Sequence, residues 1–373
     1  MPAFSLTRRQ LIQTGLGALV GSSALAGCVA TTRHLARPDF ISAVDLTDDQ
    51  HAIAGANASH DGLPGFDLPV AERCHGGCAR PQASQVVMFA RRPGRHAYVL
   101  DTAHQHLHQV IAAGAGYHFY GHGVFSRDGR FLYATLNHYG NGQGLVRVYD
   151  ADNEYQAVRD LSLDGIGPHE LRLHPDGEHL LVALGGIRTH PDYARIKLNL
   201  DTMRPAVLMI NCRTGAIVRR WRPSDTQLSC RHLDVSDDGI AMIGYQYQGP
   251  TRNNPPLIAR LDTGTGALRE VNLDPALQRR LRHYTSSVVI SRNHPFAVVA
   301  SPWGGLALML NYQTGALLQA FELTDVSGAL AEAGGTFVVS SGLGGLYRIR
   351  ADDSRPAIIA RASVRWDHHL IAI

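Results

Sequence analysis

The stretch Gly165-Ile-Gly-Pro-His-Glu-Leu-Arg-Leu-His-Pro-Asp-Gly-Glu-His-Leu-Leu-Val-Ala-Leu184 decides the fold. A His opens it at position 169, and Leu171 and Leu173 alternate with polar residues. Pro175-Asp176-Gly177 turns the chain, and the apolar run 180–184 returns. This is the signature of a β-hairpin with an imidazole at its mouth. The unit occurs earlier as His122-Gly-Val-Phe-Ser-Arg-Asp-Gly-Arg-Phe-Leu-Tyr-Ala-Thr135. It occurs later as His232-Leu-Asp-Val-Ser-Asp-Asp-Gly-Ile-Ala-Met-Ile-Gly244. A third strand ending in Asp or Asn follows each hairpin, as at residues 144–150, 207–211, 257–262 and 307–311. No long helical period interrupts these strands, and residues 274–283 hold one short helix at most. Many short strands at regular spacing argue for an all-β chain.

The hairpin mouths align at His75, His122, His169, His232, Thr285, Ser327 and His369, at intervals of 47, 47, 63, 53, 42 and 42 residues. A four-stranded propeller blade takes roughly 40–50 residues. Seven mouths therefore predict a seven-bladed β-propeller, of WD40-like or quinoprotein-like architecture. The interval of 63 places an insertion at about 185–205. The last unit, Trp366-Asp-His-His-Leu-Ile-Ala-Ile373, has room for one strand. The final blade must then be completed by N-terminal strands, which removes the free sheet edge.

Domain boundaries follow. Residues 1–28 read as an address, 29–68 as a tether and lead-in segment with a strand at 40–45, and 69–373 as the propeller. Thr7-Arg8-Arg9-Gln10-Leu11-Ile12 matches a twin-arginine export signal built on Arg8 and Arg9. Leu25-Ala26-Gly27-Cys28 matches a lipobox, with Cys28 as the lipidated residue. The residue after Cys28 is Val29, not the Asp of inner-membrane retention. The expected location is thus the periplasm, lipid-anchored on the inner face of the outer membrane. The net charge is +3 with His neutral, and no dense basic run is present, so nucleic-acid binding is not indicated. Cys74, Cys78, Cys212 and Cys230 leave three states open: a Cys74–Cys78 bridge, a Cys212–Cys230 bridge, or free thiols.

Aligned mouths place His75, His122, His169, His232 and His369 at one end of the central channel. Glu170, Arg231, Asp367 and Tyr284 stand close by in the repeat, and Arg188 and His190 lie on the insertion. Converging imidazoles suit a transition metal such as iron, copper or zinc, or a small ligand. Neutral imidazoles are required, so affinity is expected to fall below pH ~6.5. A channel lined with polar groups that bind only water and neighbouring blades would also repeat His. No Ser-x-x-Lys, G-x-S-x-G, P-loop or dinucleotide fingerprint stands in a fitting context.

Seven motifs resemble one family, twin-arginine-exported proteins with domain of unknown function 1513. They are Phe89-Ala-Arg-Arg-Pro-Gly94, His118-Phe-Tyr-Gly-His-Gly123, Gly165-Ile-Gly-Pro-His-Glu-Leu171, Gly185-Gly-Ile-Arg-Thr-His-Pro-Asp192, Lys197-Leu-Asn-Leu-Asp-Thr-Met203, Arg231-His-Leu233 and Trp366-Asp-His-His-Leu370. Leu136 and His368 depart from the pattern, where members often carry an acidic residue and an Asn. The resemblance implies a β-propeller without an assigned activity, linked to imelysin-like and di-haem cytochrome-like periplasmic partners of iron systems. Three functions follow as expectations. The first is a monomeric, lipid-anchored binding or scaffold component of such a system. The second is a metal-dependent, oxidoreductase-like enzyme at the channel mouth, and the third a purely structural interaction propeller.

Overall fold

A computed structural model describes residues 38–58, 64–193 and 196–373. Arg8, Arg9 and Cys28 lie outside them. The described strands form seven antiparallel sheets arranged as a β-propeller. Blade 1 starts with Cys74–Ala79, blade 2 with Tyr117–Phe125, blade 3 with Pro168–Leu173 and blade 4 with Leu228–Val235. Blade 5 starts with Ser287–Ile290 and blade 6 with Val326–Ala331. Each of these six blades runs through four consecutive strands from its first.

Residue choice follows position within a blade. Second strands such as Gln85–Ala90 and His179–Leu184 are sandwiched between neighbouring sheets, so they read as continuous apolar runs. Fourth strands such as Gln156–Ser162 and Leu317–Glu322 face water and bury a single residue or two partly. The one α-helix among the described residues, Pro275–Arg280, is capped by Asp274, whose carboxylate accepts from the backbone of Ala276 and Leu277. Cys74, Cys78, Cys212 and Cys230 are all free thiols.

Blade 7 joins the two ends of the described chain. Phe40–Asp45, His51–Ala56 and Pro64–Val70 supply three strands. These strands fall in the segment assigned above to tether and lead-in, so the propeller reaches back to Phe40. The C-terminal segment supplies the inner edge in two pieces. Arg365–Trp366 pairs at Val44↔Trp366, and Ile371–Ala372 pairs at Ile41↔Ile371. Between those pairs the inner segment is two residues longer than its partner, so 367–370 stand out of the ladder.

The same device recurs on the other inner strands. The register slips between Cys74 and Gly77, Phe119 and Gly123, Pro168 and Glu170, Cys230 and His232, and Val326 and Ala329. Only blade 5 keeps a regular register along its first strand. A bulge re-aims the side chains it carries, at the cost of a ladder bond. Five of the six irregular segments carry or flank a channel His.

Closure rests on Trp366, which is buried against Phe40 at a centroid distance of 5.9 Å and donates its indole N–H to Gly344 O at 3.3 Å. Trp366→Ala should cost about 3–5 kcal/mol, the usual price of deleting a buried aromatic. Removal of 366–373 should abolish cooperative unfolding. Chemical denaturation of both variants checks this; an unchanged midpoint for the deletion would contradict closure by the C-terminal strand.

Candidate functional site

Five imidazoles from five blades meet in one buried cluster. Successive ring centroids are 4.9 Å apart from His75 to His122, 5.0 Å from His122 to His169 and 4.8 Å from His169 to His232. They are 5.0 Å apart from His232 to His369, and 4.7 Å from His369 back to His75. The distances across the cluster are barely longer, 5.6 Å for His75–His169 and 6.0 Å for His75–His232. The rings therefore interleave and do not line an open circle. All five are buried, so they sit beneath the channel mouth. Blades 5 and 6 contribute no imidazole here. Thr285 instead donates to Tyr245 O at 2.8 Å, and Ser286 to Ser327 O at 3.2 Å.

Glycine permits this approach at two bulges. A Cβ on Gly76 would stand 2.7 Å from His122 Nδ1 and 2.7 Å from Gly121 O. Gly121 has φ of +103°, and a Cβ there would lie 3.0 Å from His75 Cδ2. The His-Gly and Gly-His pairs of the sequence are thus what lets blades 1 and 2 press their imidazoles together.

Carboxylates orient two of the rings. His75 Nδ1 donates to Asp367 Oδ1 at 2.6 Å, which leaves Nε2 with a free lone pair. His232 Nδ1 donates to Glu170 Oε2 at 2.9 Å, with the same result. Such carboxylate–imidazole pairs fix the tautomer of metal-binding histidines. Outer cations hold the carboxylates in turn. Asp367 receives Arg73 at 2.7 Å and Arg91 at 3.5 Å, and Glu170 receives Arg172 at 2.6 Å. Three further nitrogens, His122 Nε2, His169 Nδ1 and His369 Nε2, are buried and have no hydrogen-bond partner among the described residues.

Two triads share His75: His75 with His122 and His369, and His75 with His169 and His232. Within each, the ligand atoms lie within 4.8 Å of one another. A point equidistant from three atoms at that spacing is about 2.8 Å from each, and imidazole ligation needs about 2.0–2.1 Å. A shift of each ligand atom by about 0.7 Å toward that point would close the difference. His122, Glu170 and His232 form a third such group, and His75, Asp367 and His368 a fourth.

Burial sets the protonation states. Desolvation pushes His122, His169, His232 and His369 well below the ordinary imidazole range, and neighbouring imidazoles and arginines add to it. Desolvation also lowers His75, against the pull of Asp367. Burial raises Glu170 to about 7 in spite of Arg172. Asp367 stays well below its usual range although burial opposes this, because His75 and Arg91 stabilise its charge.

The remaining candidates separate. Arg231 is the bulged residue of blade 4 and is buried beside His232. Tyr284 stacks on Trp303 at 4.5 Å and its hydroxyl lies 3.5 Å from His368 Nδ1. Arg188 is exposed on the insertion, and His190 contacts Tyr139 and Tyr193, so neither enters the cluster. Sequence reasoning passed over Arg172, Arg73 and Arg91, which anchor the carboxylates. It also passed over His118, which donates from Nδ1 to Phe119 O at 2.9 Å and accepts from Asn137 at 3.1 Å on Nε2. Arg172 had a legible signal, since it stands two residues from Glu170 on one strand and shares its face.

Neutral buried imidazoles make stability depend on pH. Their folded pKa values are depressed, so the unfolded chain takes up protons first as pH falls through about 6.5. By pH 5.5 each such imidazole costs on the order of 1 kcal/mol. Glu170, raised in the folded state, works in the opposite sense and offsets about one of them. The metal-free protein should lose several kcal/mol between pH 7.5 and 5.5, measured by urea denaturation. His169→Asn should reduce that dependence by about one imidazole's share; a pH-independent midpoint in the parent would contradict a neutral cluster.

Comparison with known proteins agrees with the fold. No curated protein sequence matches the chain. Among solved structures, the chain is similar to Kuenenia stuttgartiensis hydrazine synthase, with a TM-score of 0.64 and 14% identity, covering 88% of this chain and 99% of that one. At that identity the likeness concerns the propeller fold alone. A sequence profile described as "Protein of unknown function (DUF1513)" matches residues 68–373, a span that holds all five channel histidines and both carboxylates, and the chain belongs to that family.

Proposed function

We propose that this protein is an exported, lipid-anchored periplasmic propeller whose buried imidazole cluster binds a transition-metal ion. In this reading it is the binding component of an iron-linked envelope system. One observation carries the metal reading: three buried imidazole nitrogens, His122 Nε2, His169 Nδ1 and His369 Nε2, have no hydrogen-bond partner among the described residues. A buried polar atom without a partner costs on the order of 1–3 kcal/mol, and an ion that accepts their lone pairs would offset this cost. A nitrogen-rich set of this kind suits iron, copper or zinc. Asp367 and Glu170 hold His75 and His232 with Nε2 presented to the ion. The placement in an envelope system rests on the twin-arginine and lipobox motifs and on the family resemblance. That resemblance points to imelysin-like and di-haem cytochrome-like partners.

Metal analysis of protein purified from the periplasm tests the reading. His122→Ala removes a ring whose Nε2 has no hydrogen-bond partner among the described residues, so it should fold while bound metal falls at least tenfold. His96→Ala, on the rim of blade 1, should leave occupancy unchanged. Glu170→Gln should weaken affinity about 10–100-fold. Equal metal content in His122→Ala and the parent would refute the centre.

Burial also changes the expected pH response. Imidazoles held well below the ordinary range resist proton competition, so metal should be retained at pH 5.5 and not released below about 6.5. Dialysis at stepped pH followed by elemental analysis measures this. For the anchor, Cys28→Ser should shift the protein from the membrane to the soluble periplasmic fraction; persistence in the membrane would contradict lipidation at Cys28.

A further inference from the structure

Arg231 is a buried cation that forms no ion pair with a carboxylate among the described residues. Its side chain is 3% exposed, and its Nε has no hydrogen-bond acceptor among the described residues. The groups that act most strongly on its charge are Arg92, Tyr120, Tyr284 and Arg91. Arg91 is already committed to Asp367 at 3.5 Å. Two other arginines of this centre, both only partly buried, are paired: Arg73 with Asp367, and Arg172 with Glu170 and Asp234.

Burial of an uncompensated guanidinium costs several kcal/mol, and a guanidinium stays protonated in the physiological range. The bulge between Cys230 and His232 is what turns this residue inward, so a regular ladder would have avoided the cost. The surroundings add positive potential. Arg92 lies close enough to act on it, and so does Lys197, the chain's only lysine, which projects from the blade 3 insertion. The stacked pair Tyr284 and Trp303 flanks this side, with Trp303 61% exposed.

We infer that Arg231 is the floor of an anion site beside the imidazole cluster, which takes a small oxyanion, carboxylate or phosphate, on the N–H edge of its planar guanidinium. Two oxygens of such an anion match the fork of N–H donors. The surrounding Arg92 and Lys197 raise the local concentration of anions. Arg231 adjoins His232 in the same strand, so the anion would sit next to the metal-facing side of the cluster. The site does not depend on the metal reading, because its evidence is the unpaired cation itself.

Calorimetric titration of the chelator-treated full chain with inorganic phosphate, and separately with succinate, tests this. Working without metal keeps the outcome independent of the metal centre. One equivalent of either probe should bind, and Arg231→Gln should weaken that binding at least tenfold. Arg231→Lys keeps the charge but loses the fork, and should fall between. Binding of succinate alone assigns a carboxylate, and binding of phosphate alone assigns a phosphate; either upholds the site. Arg231→Met removes the unpaired cation, so in anion-free buffer it should melt several degrees above the parent. Absence of binding by both probes, unchanged affinity in Arg231→Gln, or a lower melting point for Arg231→Met would overturn the proposal.

Discussion

The hydrogen bond from His75 to Asp367, 2.6 Å long and buried at both ends, ties the two halves of this molecule's logic together. Asp367 belongs to the C-terminal segment that closes blade 7, and His75 opens blade 1. The bond therefore spans the seam at which the propeller is closed. It also fixes the tautomer of the one imidazole that belongs to both His triads. Arg73 holds the same carboxylate and Asp45 of blade 7, at 2.7 and 3.2 Å, so the seam is cross-linked by charge as well as by strand pairing. Fold closure and site geometry share one buried ion network. Breaking one partner of such a network leaves a charge without compensation, which costs more than the pair contributes.

Bulges do the rest of the positioning. A regular inner strand alternates its side chains between two neighbouring blades, and it cannot aim one at the propeller axis. Extra residues at His75, His122, His169, Arg231 and 367–370 break that alternation where the imidazoles stand. Blade 5 has no such residue in its first strand and contributes only hydroxyls. The unmade ladder bonds and the desolvated imidazoles are costs, set against the large apolar interfaces between blades. That distribution, a strained polar centre inside a well-packed apolar frame, is typical of a functional site.

Much of this was legible in the sequence, for physical reasons. Hairpins with Asp-Gly and Pro-Asp-Gly turns at near-constant spacing define blades, because each sheet needs four strands and a turn at each reversal. The five histidines stood out since the repeat put them at one register position. The extent of blade 7 was less legible: Phe40–Asp45 reads as a strand, but Pro64–Val70, with two prolines and a glycine, does not. The outer charge network was hidden because Arg73, Arg91 and Arg172 look like surface arginines, and only the three-dimensional ring brings them to Asp367 and Glu170. His190 and Arg188 drew attention by composition, yet the insertion holds them outside the imidazole cluster. The depth of the cluster was also hidden, since a His at a hairpin mouth gives no sign of burial, and burial is what moves the pH response.

The central claim is that the imidazole cluster is a metal centre. Crystals of protein purified from the periplasm, with anomalous diffraction collected across the iron, copper and zinc absorption edges, test it most directly. The account predicts one anomalous peak in the cluster, within about 2.0–2.3 Å of nitrogens from His75 and at least two more of His122, His169, His232 and His369. A cluster with no anomalous peak, its imidazoles bridged by water, would contradict it.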